Sequence, residues 1–385
     1  MTVTLAGGEL HETAQTRGLS AAAAAAWSDG SGAKAKAERE GVVVEARATG
    51  DALVLTLTGL AGSVCASFVA LGGRQTHEKV DARALAAWPA AELVVHQERA
   101  GDAQAMFRRL VSETLHPERD PRTLPVSAER VRAIDEAGVL AWLRALLADS
   151  PVEMAVAGGV SRESAFEGIV QTVGRLGARE RIGPGTHEGL RRLPRPRGPL
   201  EGKGRAPKGT KESLVMNGFF GADLADLDDV RALHAGAEAL SLRMPALLKE
   251  AGADEASVRV GAAPGVEHPG FGLVWVAASC APGSERRVLE RIEREFAAFA
   301  ESGPTASELE AACGRLLGLI ERQTADPAAW SARLAQMTYR GHTAEEVAGV
   351  AEGYGSMTTE RVRAAFARYG TPESAVRVMV VVPEG

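Results

Sequence analysis

The sequence predicts a chain of mixed class, α+β or α/β, built as two related halves. Three observations carry this. Short β-branched runs alternate with helical patterns along the chain. A stretch rich in Pro, Gly and basic residues, RRLPRPRGPLEGKGRAPKGTK (residues 191–211), breaks the alternation near the middle. Finally, SAERVRA (127–133) followed by EMAVAGGV (153–160) is echoed by TTERVRA (358–364) followed by AVRVMVVV (375–382). Each helix-then-strand unit closes its half, and self-similarity of this kind argues for duplication.

In chain order, residues 3–5 read as a short strand and 19–27 as a helix behind it. Residues 41–50 and 51–62 are β-rich, and the Thr-Gly-Asp at 49–51 is hairpin punctuation between them. Helices are predicted over 63–71, 82–98 and 104–115, the last two parted by Gly101 and Asp102. Ser127 is the N-cap of a helix through residue 148, whose apolar Val131, Ile134, Val139, Trp142 and Leu146 keep helical spacing. A buried strand at 153–160 and a helix at 162–176 follow.

No hydrophobic periodicity survives in residues 191–211, which read as a solvated interdomain linker. This predicts domains at 1–190 and 212–385. Beyond the linker come a strand at 213–221, a long helix at 228–248, a strand pair at 257–261 and 272–278, and a helix at 286–301. Thr305 caps another helix running to about Gln323, and 328–338 is helical as well.

Composition excludes several classes. Hydrophobic residues make up 45% and charged residues 24%, a soluble globular balance rather than a disordered one. The net charge of −6 disfavours a general nucleic-acid role. No apolar run approaches the roughly 20 residues of a membrane span. No signal peptide is visible, which leaves cytoplasm and periplasm both open. Cys65, Cys280 and Cys313 stand far apart with no C-x-x-C spacing, so neither a zinc site nor a disulfide framework is expected, only buried free thiols.

Three segments, NGFFGADLADLDDVRALHAGAEALSLRM (217–244), GPTASELEAACGRLL (303–317) and YGSMTTERVRAAFARYGTPESAVRVMVV (354–381), resemble in this order the pitrilysin family of metallopeptidases. That family includes insulin-degrading enzyme and the mitochondrial processing peptidase. The resemblance covers nearly the whole chain, and GGELHETAQTRGLS (7–20) is similar to the segment leading into the family's active-site helix. It implies an α+β fold of two homologous domains, each a mostly antiparallel sheet with helices packed on one face.

In active members of the family, H-x-x-E-H follows on that helix. Its two histidines bind Zn²⁺ and its glutamate activates the attacking water. Alignment on Gly18, Leu19 and Ser20 places these three positions at Ala21, Ala24 and Ala25, inside RGLSAAAAAAW (17–27). A methyl group offers no lone pair to zinc and accepts no proton. The family's third ligand, a glutamate on a later helix, falls at about Glu98; with only His96 beside it, Glu98 reads as a helix-surface acid and at most a relic ligand. The remaining histidines, His11, His77, His116, His187, His234, His268 and His342, never stand at i, i+4 and read as surface or core residues.

The family's second half also supplies an arginine and a tyrosine that hold the substrate carbonyl. Here Lys249 lies near the arginine position, as a candidate substrate contact, and Ser257 and Val258 stand where the tyrosine would be. The resemblance therefore implies a non-catalytic subunit or half, forming the inactive side of a clamshell chamber. It implies no cofactor in this chain, with zinc in a catalytic H-x-x-E-H subunit or half, and extended peptides as the second class of partner. The alternative is a structural scaffold of the same fold with no peptidase role; an autonomous enzyme using other residues is a third reading. The chain begins close to the 7–20 segment, so a natural short subunit, a trimmed form and the second half of a longer polypeptide all stay open, and the substrate peptide is not specified.

Overall fold

The structure, a computed structural model, describes residues 1–28, 32–72, 80–100 and 102–383. The chain divides into two compact units. Neither is a continuous stretch. The first takes Met1–His96, Val126–Arg191 and Arg322–Ala348, and the second takes Gln97–Pro125, Arg192–Glu321 and Gly349–Gly385.

The first unit is built on a four-stranded sheet of β1 (Thr2–Ala6), β2 (Val43–Ala48), β3 (Ala52–Thr58) and β4 (Val152–Ala155), in the order β2-β3-β1-β4. All three pairings are antiparallel. Alternation assigns the two faces. Leu5 and Leu53 meet the helices Leu19–Ser28 and Glu136–Asp149 through Ala22, Ala23, Ala26, Val139, Trp142 and Leu146. On the same face Val3, Leu55 and Leu57 meet Val64 and Phe68 of the helix Ala61–Gly72. The opposite face presents Ala6, Ala52 and Val54 to Tyr339 and Ile182, so part of its cover comes from the far C-terminal segment.

The second unit carries β5 (Leu200–Arg205), β6 (Ser213–Gly221), β7 (Arg259–Ala263), β8 (Gly272–Cys280) and β9 (Ala375–Val381), in the order β5-β9-β6-β8-β7. Only β5 with β9 is parallel. One face, through Val215, Phe219, Val274 and Val276, packs on the helices Leu227–Ala251, Glu285–Ser302, Ala306–Thr324 and Thr359–Tyr369. The other face, through Leu214, Met216, Phe220, Val376, Val378 and Val380, is covered by Phe107, Met106 and Leu110 of the helix Ala103–Leu115. The four-helix layer on one face is what the resemblance implied; the single helix on the other is supplied by the first half of the chain.

The duplication is visible in topology. Leaving β5 aside, β2-β3-β1-β4 and β7-β8-β6-β9 are the same order read through equivalent strands. The repeated segment keeps its local chemistry too: Ser127 Oγ accepts the Arg130 N–H at 3.2 Å, and Thr358 Oγ1 accepts the Arg361 N–H at 3.3 Å.

Four expectations need correction. Residues 191–211 are not a free linker, because Leu200–Arg205 form β5 in register with Leu200 opposite Val376 and Arg205 opposite Val381. The helix expected over 127–148 is two, Ala128–Ala133 and Glu136–Asp149, because the Asp135 carboxylate accepts the Gly138 N–H at 2.8 Å and starts a new helix. The strand expected at 153–160 shortens to β4 at the sheet edge, and the helix expected at 162–176 ends at Gln171, followed by one 3-10 turn.

Candidate functional site

The alanine run forms the helix Leu19–Ser28. Its small side chains let the helix lie close on the sheet: Ala22, Ala23 and Ala26 are buried in the core. Ala21 and Ala25, one turn apart, share a half-buried face, while Ala24 is 5% exposed. Metal-ligand geometry would therefore be available in backbone terms at 21 and 25, but the side chains are methyl groups. Among the described residues no group of three or more His, Cys, Asp or Glu could hold a metal ion. The residues present do not fit a zinc centre, and no step of hydrolysis can be assigned to them.

The segment leading into this helix is held by a buried carboxylate. Glu12 is buried, and its carboxylate accepts the N–H groups of Gly18 at 3.0 Å and Ser20 at 2.8 Å. These donors open the helix and have no partner within it, so a carboxylate there caps the N-terminus and meets its positive dipole end. Arg17 Nη1 bridges Glu12 at 2.7 Å and Glu9 at 2.8 Å, compensating the buried charge. Gly18 adopts φ 93°, a backbone that a side chain would strain, and a Cβ there would stand 2.9 Å from Val126. The resemblance marked this segment, but the capping role of Glu12 was not legible, because it joins positions six and eight residues apart outside any short capping pattern.

Glu98 falls on the helix Ala82–Ala100, but its side chain and that of His96 lie outside the described residues, as does His77 entirely. Lys249, near the end of the helix Leu227–Ala251, is exposed, and its Nζ donates to Glu255 at 2.8 Å. That ion pair raises its pKa, first through the hydrogen bond and then through the charge of Glu255. Ser257 Oγ is engaged with the Asp254 carbonyl at 2.7 Å.

The histidines are not all scattered. His11 and His187 approach within 3.4 Å at Nε2, with the rings perpendicular. Both are held below the usual imidazole range by partial burial, His11 further by the charge of its neighbour. His187 also lines a polar cleft of about 620 Å³ together with Asp149, Arg179, Glu180, Arg181 and Thr186. Three other histidines are fixed by packing. His116 stacks on Phe271 at 4.7 Å, with His268 at the edge of the same ring, and His234 Nδ1 meets the Tyr354 hydroxyl at 3.2 Å.

No protein-family model matches the chain, and no curated protein does. Solved structures do. The peptidase M16 inactive domain from Pseudomonas fluorescens is 18% identical with a TM-score of 0.80, over 100% of this chain and 93% of that one. A protease from Helicobacter pylori is 11% identical with a TM-score of 0.78, over 99% and 92% of the two chains. The periplasmic protease PqqL from Escherichia coli is 15% identical with a TM-score of 0.74 over 99% of this chain, which spans only 42% of PqqL. With two duplicated antiparallel units and the helix that carries Ala21, Ala24 and Ala25 in place, the chain has the pitrilysin-type, M16 peptidase fold along its length.

Proposed function

We propose that this chain is the non-catalytic half of a two-part M16-type peptidase, pairing with an H-x-x-E-H subunit or half that holds the zinc. The observation that carries the reading is the alanine helix Leu19–Ser28, capped by the Glu12 carboxylate and packed in the core, with only methyl groups at the positions that the resemblance aligns with H-x-x-E-H. The fold is kept and the chemistry is gone, which is the pattern of a half retained for what it binds. Support comes from the Pseudomonas fluorescens structure, itself described as an inactive domain, and from PqqL, of which this chain spans about two fifths.

Sheet topology supports a place for the peptide in this reading. Strands β2 and β7 lie at sheet edges, and an extended peptide adds to such an edge through backbone groups alone. A half without catalytic side chains can thus hold and orient substrate for its partner, and Lys249 is a candidate contact to peptide carbonyls beyond that edge.

The test is co-purification. Affinity-tagged chain expressed in its own host should retain a protein carrying H-x-x-E-H in a complex that survives size-exclusion chromatography. Recovery of the chain alone, or with partners that lack the motif, would turn the assignment toward the scaffold reading.

A further inference from the structure

We infer that the open edge of β5 is a docking site for an extended acidic polypeptide segment, which joins the five-stranded sheet as an added outer strand. β5 ends the order β5-β9-β6-β8-β7, so it pairs on one side only. The Ala206 N–H donates to the Val381 carbonyl at 2.8 Å, and the Gly198 N–H to the Glu373 carbonyl at 2.6 Å. Backbone groups alternate sides along a strand, so those of Gly202 and Gly204 also turn to β9. The N–H and C=O groups of Glu201, Lys203 and Arg205 face outward, and among the described residues no backbone bond reaches them. Such a row is a template for another strand.

Charge decides which kind of strand the edge takes. Residues 195–211 carry Arg195, Arg197, Lys203, Arg205, Lys208 and Lys211 against the single carboxylate of Glu201, in a chain whose net charge is −6. Glu201 is itself engaged, with Arg377 at 3.4 Å. All six cations are exposed, and apart from Arg195, which lies over the Phe220 ring, they make no hydrogen bond or ion pair among the described residues. Exposed cations elsewhere do find carboxylates, as Lys249 finds Glu255 and Arg368 finds Asp229, so exposure alone does not account for the unanswered row.

Cations on an edge strand keep like edges apart, which rules against β5 of a second copy as the occupant. The same field attracts an acidic strand and speeds its encounter. Nucleic acid or an anionic membrane would answer the charge but leave the outward N–H and C=O groups unused, whereas an added strand uses both. The helix Ala103–Leu115 presses on β5 through Gly202 and Gly204, so the strand is held in place while its edge stays open. Pro199 and Pro207 bracket Leu200–Arg205 and set the length of the match. The inference does not rest on the peptidase reading, which invokes β2 and β7.

The experiment is fluorescence anisotropy with the purified full chain and a labelled peptide in which glutamate alternates with threonine. The peptide should bind, and more weakly as salt rises. Lys203→Glu combined with Arg205→Glu should weaken binding by roughly tenfold or more and leave the thermal midpoint in place, since neither side chain has a partner to lose. Arg83→Glu combined with Arg361→Glu, an equal change of charge at exposed positions elsewhere, should leave binding unchanged. A fully N-methylated peptide, which keeps the carboxylates and loses the backbone donors, should not bind. No binding, equal binding by a lysine–threonine peptide or by the N-methylated one, or wild-type affinity after both changes at 203 and 205 would overturn the inference. So would equal weakening by the changes at 83 and 361, or tighter capture of a single-stranded oligonucleotide or phosphatidylserine vesicles through the same two cations.

Discussion

Replacing Arg340 by methionine should unfold the first unit far more easily than its place outside any regular element suggests. Asp51 has a side chain 0% exposed, and Arg340 is 8% exposed. The guanidinium grips both carboxylate oxygens, Nη2 reaching Oδ1 at 3.0 Å and the Gln336 side-chain oxygen at 2.9 Å. It also lies over the Tyr339 ring at 4.6 Å, while the Tyr339 hydroxyl donates to the Asp51 carbonyl at 2.9 Å. This cluster fastens residues from the far end of the chain to the hairpin between β2 and β3. Removing only the cation leaves a carboxylate buried without compensation, a loss of about 3–5 kcal/mol. Removing charge from both sides, as Asp51→Asn with Arg340→Met, leaves none stranded and should cost about 2 kcal/mol or less. Trp27, Trp88, Trp142 and Trp330 belong to the first unit and only Trp275 to the second, so urea unfolding followed by tryptophan fluorescence reports chiefly on the affected unit. The reasoning is refuted if Arg340→Met costs under ~1 kcal/mol, or if the double variant is no more stable than the single one, since a stranded charge could then not be the cause.

Three further outcomes are expected. Glu12→Gln keeps the shape of the cap but removes one of the two carboxylates that Arg17 bridges and weakens two helix-opening bonds; thermal unfolding should show a loss of about 1–3 kcal/mol, and an unchanged midpoint would deny Glu12 its capping role. Burial, then the charge of His268, lowers His116 from 6.5 to about 4. Between these values the unfolded chain binds more protons, so stability of the second unit should fall as the pH drops from 6.5 toward 4 and be independent of this group above 6.5; His116→Phe should flatten that part of the profile. Burial pushes the Cys280 thiol up to about 12, so a thiol reagent should label Cys65 and Cys313 in the native protein and reach Cys280 only after unfolding, as mass spectrometry of the labelled peptides will show.

Much of the fold was legible, and the parts that were not have identifiable causes. The paired ERVRA segments disclosed the duplication, because a capped helix feeding a strand is local information that survives in sequence. The exchange of segments between units was hidden, since the helix Ala103–Leu115 shows an apolar face but not which sheet receives it. Strand β5 was masked by the same contact. A Cβ on Gly202 would stand 2.2 Å from Thr114 Oγ1, and one on Gly204 would stand 3.3 Å from Leu110, so the glycines that made residues 200–205 look like linker are what lets the helix approach. The expectation that Ala21, Ala24 and Ala25 stand at the motif positions rests on the motif's fixed spacing alone. The His11–His187 pair was not legible, because 176 residues separate its members and only the fold brings them together.

The most direct measurement is peptide hydrolysis by the proposed H-x-x-E-H partner, once recovered, recorded with and without this chain, beside the chain alone in excess zinc. Methyl groups at 21, 24 and 25 predict no cleavage above background by the chain alone and a faster, saturable rate when the two are combined. Chelator-sensitive cleavage by the isolated chain, or a partner rate indifferent to its presence, would contradict the account.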